Sequence, residues 1–143
     1  MKISVGSDHA GYKLKTALAQ HLREGGREVI DRGTDSELSV DYPDFAHAVA
    51  EDVTTGKASF GVLVCSSGIG VSIAANKTPG VRAALCVNDE IATFSRSHNN
   101  ANVICFGQKF TSAEDATRWL DIFLTTAFEG GRHARRIGKI EQL

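Results

Sequence analysis

Short apolar runs alternate with stretches of helical spacing along nearly the whole chain. Residues 2–6 (KISVG) read as a strand, and over 10–24 the residues Leu14, Ala17, Leu18 and Leu22 fall on one helical face. Gly25-Gly26 ends that helix, and residues 28–31 (EVID) form a second strand. Asp41 is placed to cap a helix with Pro43 in its first turn, an apolar stripe of Phe45, Ala48, Val49 and Val53, and a stop at Gly56. Residues 60–64 (FGVLV) are a fully apolar strand, with further strands over 81–86 (VRAALC) and 102–106 (NVICF). Between them lie a helix over 69–76 and another from Asn88 that includes Ile91 and Phe94. The longest helix follows Thr111, where Thr111 and Glu114 match a capping box; it buries Ala116, Trp119, Leu120, Phe123, Leu124 and Ala127, and closes at Gly130-Gly131. Five short apolar strands alternating with five helices predict a parallel sheet covered on both faces, a doubly wound three-layer αβα fold of Rossmann-like type. Only residues 132–143 fall outside the alternation.

Composition narrows the field. A chain of 143 residues with 42% hydrophobic and 23% charged residues suits one domain, here residues 1–143. Sixteen Lys and Arg against seventeen Asp and Glu give a net charge of −1, which argues against a general nucleic-acid binder. No apolar run reaches the length of a membrane span, and the N-terminus enters a strand at once rather than a signal segment. Three cysteines without secretory context are expected to be reduced thiols in a cytoplasm.

In this architecture ligands bind beyond the carboxyl ends of the strands, which selects Asp8-His9, the run Cys65-Ser66-Ser67-Gly68-Ile69-Gly70, and Gln108-Lys109. Three common motifs fail there. Tyr12 occupies the lysine position of a phosphate loop, Ile73 replaces the third glycine of a dinucleotide fingerprint, and Val71 stands where a cysteine phosphatase needs arginine. What remains is a glycine turn headed by a cysteine and followed by a helix, whose N–H groups can hold a phosphate or an oxyanion. That setting suits Cys65 as base or nucleophile, although a small apolar residue at a strand end reads the same way. Cys86 and Cys105 lie within apolar strands and read as core. Asp8 is equally a helix cap, and His98-Asn99-Asn100 is equally turn chemistry. Arg132 and Arg136 are one helical turn apart and could grip one anion, or belong to a solvated basic tail. No pair of His, Cys or carboxylate residues has convincing metal-ligand spacing. The residues alone thus reach a small anionic ligand and acid–base chemistry.

SDHAG at 7–11, DYPDFA at 41–46, CSSGIGVSIAANK at 65–77, RSHNNANVICFG at 96–107 and FEGGRHARRI at 128–137 together resemble the ribose-5-phosphate isomerase B family, in order over nearly the whole chain. The related galactose-6-phosphate isomerase subunits divide their site between two different polypeptides, whereas here every expected group sits in one chain. The resemblance implies a metal-free and cofactor-free aldose–ketose isomerase of the pentose phosphate pathway, working through a cis-enediolate. It implies Cys65 as the base between C2 and C1, Ser67 hydrogen-bonding near the thiol, and Ser66, Gly68, Ile69 and Gly70 holding the enediolate oxygen through their amides. Some members lack the cysteine and use a glutamate at the position of Ser72. His98 resembles the ring-opening group, Asp8 and Tyr42 position sugar oxygens, and Asn99 binds a hydroxyl. His9, Arg132 and Arg136 resemble phosphate ligands, with His133 beside them and the arginines reaching in from a partner subunit. Lys109 stands where many relatives have an arginine that resembles a phosphate ligand; lysine keeps the charge and loses the bidentate fork. The implied assembly is a homodimer or a dimer of dimers. The implied substrate is ribose 5-phosphate, with allose 6-phosphate, galactose 6-phosphate, a tetrulose 4-phosphate or non-catalytic phosphosugar binding as alternatives.

Overall fold

The structure, a computed structural model, describes residues 1–142. The chain runs β1 (Lys2–Ser7), a 3₁₀ turn (His9–Gly11), α1 (Tyr12–Glu24), β2 (Glu28–Asp31), α2 (Tyr42–Thr54), β3 (Phe60–Cys65) and α3 (Ile69–Asn76). It continues through β4 (Ala83–Leu85), α4 (Asp89–Ser97), β5 (Val103–Gly107), α5 (Ala113–Thr125) and α6 (Arg132–Ile140). All strand pairings are parallel, in the order β2-β1-β3-β5-β4. The predicted doubly wound sheet is therefore present.

Strand alternation divides the core. Ile3, Val5, Val62, Val64, Ile104 and Phe106 face α1 and α5, where Leu14, Leu18, Leu22, Trp119, Leu120 and Phe123 meet them. The intervening residues Leu63, Cys65, Val103 and Cys105 face Ala46, Val49 and Ala50 of α2 and Val71, Ala74 and Ala75 of α3. Both faces are buried, which is why these strands read as continuous apolar runs. The register aligns Cys65 with Gly107 and Val64 with Ser7, so the loops after β1, β3 and β5 emerge together at one end of the sheet.

Several boundaries differ from the sequence pattern. The long helix α5 is capped by Ser112, whose Oγ accepts from the Asp115 N–H at 3.0 Å, so the capping pattern begins one residue after Thr111. Asp41 occupies the N-cap of α2 without a side-chain bond to the helix; its carbonyl accepts from the Asp44 N–H at 3.3 Å. The strand expected over 81–86 is regular only at Ala83–Leu85, because β4 is an edge that pairs with β5 alone. The basic tail is a sixth helix, which places Arg132 and Arg136 one turn apart on α6. No helix among the described residues is long and apolar enough to cross a membrane.

Candidate active site

At the carboxyl end of the sheet, Asp8, Tyr42, Cys65, Ser66, Ser67, Ile69, Gly70 and Ile73 line a pocket of about 410 Å³. Cys65 closes β3 and is 5% exposed. The chain then turns through Gly68, which has φ 79° and forms the N-cap of α3. A side chain is excluded there twice over: the left-handed backbone disfavours it, and a Cβ would lie 2.5 Å from Leu85 Cδ1. The turn aims the Gly68 N–H at the Cys65 sulfur, at 3.2 Å. Ser67 Oγ accepts from the Ile69 N–H at 3.2 Å, which leaves its own proton free to donate. The following N–H groups of α3 have no intrahelical acceptor and form the positive end of the helix. Gly70 admits the Tyr42 ring, since a Cβ there would meet Tyr42 Cε1 at 2.7 Å.

The β1 loop supplies the next wall. Asp8 Oδ1 accepts from the Gly11 N–H at 3.1 Å, so Asp8 is both a cap and a pocket residue. His9 begins the 3₁₀ turn, and its Nδ1 accepts from the Val40 N–H at 3.1 Å. Lys109 hangs beside the pocket through its N–H on the Ser66 carbonyl at 3.0 Å, while its ammonium lies 6.0 Å from the Phe110 ring centroid.

The three cysteines are all buried but have different surroundings. Burial pushes the Cys86 thiol up to about 11, against a weaker opposing effect of the Asn88 backbone. Burial, and then the proximity of Cys65, raise that of Cys105. Cys65 alone among them lines the pocket and receives the helix-start amide.

The remaining expected residues form a second cluster elsewhere. His98 caps the C-terminus of α4, ahead of Val103, where β5 begins, whereas the Cys65 pocket surrounds the end of β5 at Gly107. The strand that lies between the two positions spans about 13 Å. His98 stacks between Phe94 (centroids 4.5 Å apart) and His133 (4.3 Å apart). Glu129 offers one carboxylate oxygen to each imidazole, at 3.8 Å from His98 Nε2 and 3.8 Å from His133 Nε2. Its own N–H donates to the Ser97 carbonyl at 3.0 Å, fixing the loop before α6 against the end of α4. His133 is 8% exposed, and burial, with Arg132 and His98 next, holds its pKa below the usual histidine value. Asn99 faces an apolar groove that includes Arg82, Ile91, Phe94 and Ile140. Asn100 adopts the left-handed conformation (φ 45°) expected somewhere in this turn.

The cluster has the donor set of a metal site, with ligand atoms within 4.8 Å of one another. Its histidine rings, however, are only 9° from parallel. A single ion cannot lie in both ring planes, so the arrangement is a stacked pair rather than a chelate.

Sequence reasoning passed over Glu129 and Arg96. Arg96 donates to Asn100 Oδ1 at 2.8 Å and to the Ala101 carbonyl at 2.7 Å, and lies over the Phe60 ring at 4.8 Å, so it braces the turn that carries His98. Neither neighbours the carboxyl end of a strand, where this architecture places ligands.

Known proteins share this fold. A ribose-5-phosphate isomerase B of Escherichia coli is 45% identical over 139 residues, covering 97% of this chain and 93% of that one. A solved structure of ribose-5-phosphate isomerase B of Clostridium thermocellum superposes with a TM-score of 0.98 at 49% identity, covering 99% and 96% of the two chains. That of Mycoplasma genitalium, solved with bound ribulose 5-phosphate, gives 0.94 at 42% identity, covering 99% and 94%. The ribose/galactose isomerase family model matches residues 3–140, and the chain belongs to that family.

Proposed function

We propose that the protein interconverts ribose 5-phosphate and ribulose 5-phosphate through a cis-enediolate, with Cys65 as the base. The observation that carries this reading is the Cys65 sulfur at a pocket wall, with the Gly68 N–H aimed at it and the start of α3 beside it. Donors so placed support negative charge on sulfur and on a neighbouring oxygen. In the open-chain aldose, Cys65 thiolate removes the C2 proton, and the electron pair forms the C1–C2 double bond while O1 becomes the oxyanion. The amides from Ser66 to Gly70 hold that oxygen. The thiol returns its proton to C1, the O2 proton passes to O1, and the C2 ketone results, so nothing is consumed. Asp8 and Tyr42 position sugar oxygens from the pocket wall, and Ser67 donates its free hydroxyl proton near the thiol.

The substrate is cyclic before it reacts, and ring opening falls to His98. Its imidazolium protonates the ring oxygen as the C1–O bond breaks, and the resulting imidazole takes the anomeric hydroxyl proton as the carbonyl forms. Within one chain His98 and Cys65 occupy opposite ends of the sheet, so this chemistry requires a second copy of the chain. A two-fold dimer would bring His98, Asn99, Arg132, His133 and Arg136 of one chain to the Cys65, His9 and Lys109 of the other. Apolar surface is available on both halves: Ile69 and Ile73 are 52% and 57% exposed beside the pocket, and Phe94 is 43% exposed beside His98.

The test is a coupled assay of ketose formation, run in parallel on ribose 5-phosphate, allose 6-phosphate, galactose 6-phosphate and tetrose 4-phosphates. The highest kcat/KM is expected on ribose 5-phosphate. Faster turnover of another aldose phosphate would reassign the substrate, and no turnover of any would overturn the function.

A further inference from the structure

We propose that the Val40 N–H is a positioning group that fixes His9 as its Nε2-protonated tautomer, making the neutral ring a hydrogen-bond donor toward the substrate phosphate. This inference rests on the reading of His9 as a phosphate ligand. A backbone N–H can only donate, so the 3.1 Å bond from Val40 requires a lone pair on Nδ1. The neutral ring then carries its single proton on Nε2, at the far side from Val40, and no residue among those described accepts it. A sugar phosphate near neutral pH presents acceptor oxygens almost exclusively. The Nε2–H tautomer offers such a group a donor, whereas the opposite tautomer would turn a lone pair toward it.

Both ends of this contact are held by other bonds. Asp8 locks the backbone of the 3₁₀ turn through the Gly11 N–H, and the Asp8 N–H donates to the Val64 carbonyl at 3.3 Å. On the other side, Val40 stands two residues before Tyr42, whose ring is seated on Gly70. One amide thus ties together the β1 loop, the entrance to α2 and the start of α3. Val40 lies in an irregular segment whose sequence carries no sign of this role.

Nitrogen-15 NMR of the full-length protein with labelled histidine reads the tautomer directly, with the His9 resonances assigned by their loss in His9→Gln. An unprotonated Nδ1 and a protonated Nε2 are expected in the neutral range. A protonated Nδ1, or an even mixture, would overturn the proposal. The donor role is read by two isosteres, because a glutamine amide nitrogen reaches the Nε2 position and an asparagine amide nitrogen only the Nδ1 position. His9→Gln should raise KM for ribose 5-phosphate less than about fivefold, and His9→Asn by about 10- to 100-fold, the range for a lost bond to a charged partner. In both, kcat should stay within about threefold, as for an interaction made equally in ground and transition states. Equal KM values in the two variants would reject the donor assignment. Wild-type protein inactive on every sugar phosphate would instead defeat the function proposed above, while the spectrum would still decide the tautomer.

Discussion

The two ends of the sheet are built by different means. At the carboxyl end, backbone dominates: a left-handed glycine, a helix start and three loops laced by N–H bonds surround one thiol. At the amino end, side chains dominate: Phe94, His98 and His133 stack, Glu129 faces both imidazoles, and Arg96 braces the turn. The first end suits a developing oxyanion, because backbone donors need no reorganisation when charge appears. The second suits proton exchange with a sugar ring, because imidazoles gain and lose protons near neutrality. Neither end holds both sets of groups, and the parallel strand β5 lies between them in a single chain.

The largest effect should come from the carboxyl end. Cys65→Ala is expected to lower kcat by about 10²-fold or more, the scale of a lost general base. Cys105→Ala, one strand away in the core, should cost stability rather than chemistry, so the pair separates the reactive thiol from a packed one. Steady-state kinetics with denaturant melts checks both, and full activity in Cys65→Ala would break the comparison.

At the amino end, His98→Asn should cut turnover of the cyclic sugar by about 10- to 100-fold. Proton exchange on an open-chain substrate should be nearly retained. Equal loss on both substrates would move His98 from ring opening to the isomerisation step. Glu129→Gln is expected to be milder, up to about fivefold on the cyclic substrate, because a partly exposed ion pair is worth at most about 1 kcal/mol. Loss of activity on the open-chain substrate alone would show that Glu129 serves something other than His98.

The smallest effect concerns pH and stability. The folded chain keeps His133 below its ordinary value of 6.5, so the unfolded chain binds that proton first. The stabilisation from this site is complete above that value and is lost as pH falls through it, levelling off below the folded value. Denaturant titrations at fixed protein concentration should show a weaker decline from pH 7.5 toward pH 5 in His133→Phe than in wild type. Parallel declines would mean that His133 is not held neutral.

Much of the carboxyl end was legible in the sequence, because strand ends and glycine turns are local features. The apolar runs located all five strands, and the Cys65 loop followed from its place after β3. The amino-end cluster was not legible, because it depends on contacts between segments some thirty residues apart, such as the Glu129 N–H on the Ser97 carbonyl. The helix α6 escaped for a different reason. Its only large apolar residues are Ile137 and Ile140, set among charges, and it buries only His133, so RHARRIGKI reads first as a basic tail. The regular part of β4 is shorter than its apolar run, since Val81 and Cys86 are buried yet lie outside the paired register.

The central claim, that one working site takes the Cys65 end of one chain and the α6 arginines of another, is tested by mixing two inactive variants. Cys65→Ala and Arg136→Ala proteins are dissociated, combined in equal amounts and re-associated, with exchange verified by mass. In each mixed dimer one site lacks both groups and the other has both. Random pairing should therefore restore about a quarter of the wild-type sites. Verified exchange with no recovered activity would contradict the account and place Arg136 in the site of its own chain.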